Sequence, residues 1–140
     1  MSKIKLGIIG AGKIAIEHLK VISSFKNLQV SSITSRTIDK AKKLSENFGI
    51  PKTYEVIDDM ISNEKVDGLM VLVSADQIFN VTSSLIPLKI PLFIEKPPGL
   101  SINESKQLSN LSVKYNTRNM VGFNRRYYTH FHKGLKIIED

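Results

Sequence analysis

The apolar positions of this chain change period along its length. Ile4-Lys5-Leu6-Gly7-Ile8-Ile9 is a short apolar run that ends in Gly10-Ala11-Gly12. Ile14, His18, Val21, Ile22 and Phe25 then recur at helical spacing, so the opening reads as strand, tight turn, helix. Leu28 to Thr34 is rich in β-branched residues and predicts a second strand. Ile38, Ala41, Leu44, Ser45 and Phe48 predict a helix, stopped by Gly49 and Pro51. Val56 to Ser62 predicts a short helix, and the nearly continuous apolar run Val66 to Val73 a strand buried on both faces. A helix is expected over 76–86, ending before Pro87, and a strand over Pro91 to Glu95. Ser101 followed by Glu104 has the form of a capping box, opening a helix to about Tyr115. Asn119 to Phe123 predicts the last strand, and Tyr127, Tyr128, Phe131, Leu135 and Ile138 an amphipathic helix after it.

Strands alternating with helices imply an α/β fold with a doubly wound, mostly parallel sheet. Right-handed crossovers place helices on both faces, giving three layers, α/β/α. The final helix comes after the sheet is complete, and its apolar stripe has no later partner in the chain. Either it packs back on the sheet or it opens a second domain.

Composition narrows the class. With 41% hydrophobic and 24% charged residues, the 140-residue chain reads as globular rather than disordered. There is no cysteine, which excludes disulfide frameworks, thiolate–metal sites and thiol chemistry, and no metal site is expected. No apolar run approaches the ~18 residues of a membrane span, and the start Met1-Ser2-Lys3-Ile4-Lys5 has no signal-peptide form, so a cytoplasmic protein with no membrane partner is expected. The net charge is +7. Residues 1–50 carry nine bases against three acids, 51–116 six against eight, and 117–140 five against two. The positive ends favour anionic partners such as nucleotide phosphates. A nucleic-acid surface needs basic residues interleaved with stacking aromatics, and only Arg125-Arg126-Tyr127-Tyr128 has that form, so nucleic acid is not the expected partner.

Gly10-Ala11-Gly12-Lys13-Ile14-Ala15 is G-x-G-x-x-A between a strand and a helix. In that setting the first glycine permits the tight turn, and the second lets backbone approach a pyrophosphate. The small third residue, Ala15, allows close helix–strand packing. The first N–H groups of the helix, around Lys13 and Ile14, point at the phosphates with the positive dipole end behind them. Gly10, Ala11, Gly12, Lys13, Ile14 and Ala15 are therefore candidate dinucleotide-binding residues.

The end of the second strand bears on which dinucleotide. An NAD site usually has Asp or Glu there for the ribose 2′-OH. Here the residues are Thr34-Ser35-Arg36-Thr37. Ser35 can bond a 2′-phosphate and Arg36 can pair with it or stack on adenine, so NADP is preferred over NAD.

Glu95-Lys96-Pro97-Pro98-Gly99 falls at the C-terminal end of a predicted strand, the edge where open α/β sheets bind ligands. A lysine there can donate a proton to a carbonyl oxygen or accept one from a hydroxyl. Its reference pKa of ~10.4 is too high for a base at neutral pH. Burial and a nearby cationic nicotinamide ring would lower it. The Lys96–Pro97 and Pro97–Pro98 bonds tolerate a cis form in such a turn.

G-x-G-x-x-A near the N-terminus, E-K-P about ninety residues later, and Val121-Gly122-Phe123-Asn124-Arg125-Arg126-Tyr127 together resemble the Gfo/Idh/MocA oxidoreductases, in order and spacing, over nearly the whole chain. The resemblance implies a Rossmann domain, residues 1–123, that binds a nicotinamide dinucleotide. Residues 124–140 would then begin the connection to a C-terminal substrate domain. It implies hydride transfer to or from a sugar, sugar nucleotide or polyol, with Lys96 as the catalytic proton-transfer residue and Glu95 near the nicotinamide ribose. Asn124 and Arg125 would border cofactor or substrate, and the backbone at Ser74 and Ala75 would line the cofactor. Oligomer contacts would lie in the further domain.

The chain departs from the family pattern at Ser74-Ala75-Asp76-Gln77-Ile78-Phe79-Asn80, which lacks the proline and histidine of the usual T-P-x-x-x-H stretch, and after the second strand, where the acid is missing. Family chains exceed three hundred residues, so this chain is expected to be inactive alone. His18 fits a helix face toward core or solvent, and His130 and His132 fit the surface. Two other readings stay open: a non-catalytic module that senses NAD(P), and a basic nucleic-acid-binding domain.

Overall fold

The computed structural model describes residues 3–139. Six strands form one parallel sheet: β1 (Ile4–Ile9), β2 (Leu28–Thr34), β3 (Lys52–Tyr54), β4 (Gly68–Val71), β5 (Leu92–Ile94) and β6 (Asn119–Val121). Their order across the sheet is β3-β2-β1-β4-β5-β6. The helices are α1 (Lys13–Ile22), α2 (Ile38–Phe48), α3 (Ile57–Asn63), α4 (Ala75–Leu85), α5 (Ile102–Tyr115) and α6 (Thr129–Glu139).

The period of two within the strands splits the core between the two faces of the sheet. Ile8, Ile33, Met70 and Leu72 pack with Ala15, Leu19 and Ile22 of α1 and Ala41 and Leu44 of α2. Their neighbours Ile9, Leu69, Val71 and Ile94 face the other way, onto Met60 of α3, Ile78 and Leu85 of α4 and Leu108 of α5. This is the expected three-layer Rossmann architecture. Each fully buried isoleucine or leucine contributes about 1.5–3 kcal/mol, which is why the central strands β1 and β4 carry the longest apolar runs.

Termination follows local chemistry. α2 ends at Gly49, whose φ of 65° suits a left-handed cap. α5 opens with the Ser101 hydroxyl accepting the Glu104 N–H at 3.1 Å, while the Glu104 carboxylate accepts the Leu100 N–H at 2.5 Å, one residue before the position a strict capping box would use. Pro87 falls in a 3-10 turn, Ile86–Leu88, directly after α4. The strand expected over Val66 to Val73 is trimmed to Gly68–Val71, and the last strand stops at Val121. β3 was not expected: three half-polar residues on the sheet edge carry no apolar pattern. α6 does not lie back on the sheet. Its principal contact is the 3-10 turn Asn124–Tyr127, and Phe131, Leu135, Ile137 and Ile138 are exposed.

Candidate functional site

Chain direction through the crossovers reverses between β1 and β4, which leaves a crevice at the C-terminal edge of the sheet. The glycine turn sits there. Gly10 donates its N–H to the Thr34 carbonyl at 2.8 Å and holds φ at +109°, a conformation that L side chains rarely adopt. Gly12 is the N-cap of α1, and no atom lies within 4 Å of where its Cβ would be. No side chain caps the helix and no acid lies in its first turn, so the α1 N-terminus presents unpaired N–H groups with no carboxylate of its own turn to repel an anion. Ala15 is fully buried beneath the turn. These features fit a diphosphate: the backbone is open where phosphate must approach, and the donor set is correct for it.

A cavity of about 250 Å³ adjoins the turn. Gly10, Ala11, Gly12, Ser35, Arg36 and Ser74 all line it, so the structure brings together the residues that the sequence singled out at the ends of β1, β2 and β4. The Ser35 hydroxyl accepts the Thr37 N–H at 3.2 Å, which turns the chain into α2 and leaves Arg36 exposed at the mouth. Lys40, four residues on from Arg36, and Glu55 line the cavity too. Sequence reading missed both. Lys40 could have been found from its i+4 spacing to Arg36, whereas Glu55 follows the unforeseen β3. The hydrogen bond from the Ser74 hydroxyl holds the Asp76 carboxyl below the usual carboxylate range. The Gln77 amide adds to the effect, desolvation opposes it, and the residue's own backbone N–H and then the positive charge of Arg36 contribute further.

A second cavity, of about 360 Å³, shares none of the first one's lining residues. Ile14, His18, Glu95, Phe123, Asn124 and Tyr127 are among its walls. Glu95 is buried at the end of β5, and its Oε2 accepts the N–H of Lys96 at 2.9 Å. The Lys96–Pro97 bond is cis. The Lys96 side chain is exposed. Lys13, Ala75, Lys96 and Arg125 line neither cavity. His18 is not simply a core or solvent residue, since its Nε2 lies 3.8 Å from Glu95 Oε1. His130 and His132 are exposed, as expected. Among the described residues, no helix is long and apolar enough to cross a membrane.

A parallel sheet in this strand order, with a glycine turn and an uncapped helix at its switch point, defines a nucleotide-binding doubly wound domain. The chain belongs to the GFO_IDH_MocA family: the model for the oxidoreductase family with an NAD-binding Rossmann fold matches residues 4–123. The chain is 24% identical over 136 residues to the myo-inositol 2-dehydrogenase of Thermotoga maritima, covering 97% of this chain and 41% of that protein. It is 29% identical over 140 residues to the glucose-6-phosphate 3-dehydrogenase of Bacillus subtilis, covering 97% of this chain and 39% of that one. It superposes with a TM-score of 0.88 on the scyllo-inositol dehydrogenase of Lactobacillus casei, solved with NAD(H) and scyllo-inositol bound. There the identity is 21%, over 99% of this chain and 41% of that chain. The chain thus spans about two fifths of the length of the curated relatives it matches.

Proposed function

We propose that residues 1–123 form the cofactor-binding domain of a cytoplasmic NADP-preferring oxidoreductase acting on a polyol or sugar. Residues 124–140 then lead into a substrate domain that also carries subunit contacts. The observation that carries this reading is the open, uncapped glycine corner at Gly12 beside a cavity whose mouth holds Arg36 and Lys40. Gly10, Ala11 and Gly12, with the N–H groups of Lys13 and Ile14, bind the diphosphate, and Ala15, whose N–H donates to the Gly12 carbonyl, packs beneath them. Ser35, Arg36 and Lys40 bind the 2′-phosphate, and no acid stands at the end of β2 to reject it. The backbone of Ser74 and Ala75 flanks the adenosine side. Glu95, Asn124 and Arg125 border the nicotinamide end. The names of the relatives, inositol and glucose-6-phosphate dehydrogenases, support a polyhydroxylated substrate.

A bound nicotinamide supplies the hydride acceptor or donor. Lys96 moves the accompanying proton: its amine takes the proton of a substrate hydroxyl during oxidation, or its ammonium gives one to a carbonyl oxygen during reduction. Titration of the chain with NADPH and with NADH, followed by nicotinamide fluorescence, tests the cofactor reading. NADPH should bind more tightly. Tighter NADH binding overturns the NADP preference, and absence of binding to either overturns the reading itself.

A further inference from the structure

His18 stands on α1 one turn after Ile14 and has no part in the phosphate-binding turn. Its ring meets Phe93 of β5 edge-on, with centroids 5.1 Å apart. Its Nε2 is buried, has no hydrogen-bond partner, and lies 3.8 Å from Oε1 of Glu95. Glu95 is itself buried, its side chain 10% exposed. One oxygen of its carboxylate accepts the Lys96 N–H, and no lysine or arginine side chain among the described residues comes within ion-pair distance of it. The carboxylate occupies space left by Gly122, where a Cβ would lie 3.3 Å from Oε2 and 2.8 Å from Phe93 Cζ.

A buried carboxylate is costly unless its lone pairs are met. Oε2 has the backbone N–H of Lys96, and Oε1 faces the imidazole. With the proton on Nε2, a closing of about an ångström makes this a charge-assisted hydrogen bond. The helix that begins at the Gly12 corner is then linked through His18 to the carboxylate that fixes the start of the Lys96 turn. Ile14 and His18 of α1 share one cavity with Glu95 and Asn124.

We propose that His18 is a positioning residue for the redox end of the cofactor, acting through Glu95. It fixes the carboxylate that borders the nicotinamide ribose and, with it, the Glu95–Lys96 backbone, while contributing nothing to the adenosine half. The proposal rests on the cofactor reading above.

The test uses the whole chain and two kinds of ligand: NADPH and NADH, and their nicotinamide-free halves, 2′,5′-ADP and ADP. His18→Phe keeps an aromatic edge against Phe93 and removes the donor, whereas His18→Gln keeps an N–H near the Nε2 position. His18→Phe should weaken the preferred dinucleotide about tenfold and leave the matching half-cofactor within about twofold, and His18→Gln should recover most of the loss. Glu95→Gln should show the same split, and adding His18→Phe to it should cost little more. If His18→Phe fails to fold, the Glu95→Gln split and the His18→Gln variant decide the matter. Equal weakening of dinucleotide and half-cofactor means a merely structural role and overturns the proposal. So does native dinucleotide affinity in His18→Phe, or a His18→Gln chain as impaired as His18→Phe. A wild-type chain that binds neither half-cofactor nor dinucleotide overturns the cofactor reading and this proposal with it, whereas a wild-type chain that binds both leaves the variants to judge His18 alone.

Discussion

A Cβ on Gly10 would stand 2.5 Å from the carbonyl oxygen of Leu72. Two strands, β1 and β4, therefore close on each other at the switch point only because position 10 has no side chain, and its φ of +109° adds a second reason for glycine. Gly10→Ala is expected to destabilise the chain by about 2–4 kcal/mol, since the clash is with backbone that cannot rotate away. Urea unfolding measures this. A loss below about 1 kcal/mol would show that the strand ends separate easily.

Gly12 behaves oppositely. Its φ of −85° is ordinary, and nothing lies near the missing Cβ. Serine is a better N-cap than most residues, so Gly12→Ser should leave stability unchanged within about 0.5 kcal/mol. The new side chain nonetheless projects over the helix N-terminus and competes for its N–H groups. NADPH affinity should fall at least about tenfold while the melting curve stays native. A variant that folds and still binds NADPH as the wild type does would remove the phosphate from this corner.

Arg36, Lys40 and Glu55 all line the first cavity. Each cation removed should cost NADPH about tenfold in affinity and NADH less than about twofold, because only NADPH carries the 2′-phosphate. The NADPH affinity of the wild type should also fall more steeply with salt than its NADH affinity. Glu55→Gln should move the ratio the other way, by removing a negative charge from the same cavity. Parallel losses for both dinucleotides in Arg36→Ala and Lys40→Ala would assign the pair to adenine or surface roles instead.

Much of this architecture can be read from the residues because most of it rests on periodicity. The runs at Ile4–Ile9 and Val66–Val73 and the helical spacing from Ile38 to Phe48 mark β1, β4 and α2 through burial alone. Gly49 marks a helix end because only a left-handed cap fits there. β3 escaped notice because Lys52-Thr53-Tyr54 is held by pairing to β2 at the edge, a non-local interaction that leaves no apolar signature. Glu55 was lost with it. The glycine corner was legible because its chemistry is in the backbone. The His18–Glu95 contact was not, since seventy-seven positions of chain separate the two residues and only the crossover from α1 to β5 brings them together.

Tyr54, at the end of that overlooked strand, ties β3 to the segment after α3. Its Oη donates to Glu64 Oε1 at 2.6 Å. This bond, more than desolvation or the nearby charges of Glu64 and Asp59, raises the phenol above its ordinary value of 10.0. The folded chain therefore holds the phenolic proton more tightly than the unfolded chain does. Stability from this source is fully present below about pH 10 and is lost as pH rises through the folded value, because the unfolded phenol ionises first. Urea midpoints for wild type and Tyr54→Phe, compared from about pH 8 to about pH 11, isolate the effect, since the two chains differ only in this hydroxyl. The wild type should start the more stable of the two and lose that margin on the alkaline side. Two curves that stay parallel throughout would mean that Glu64 takes no proton-dependent part in holding the edge strand.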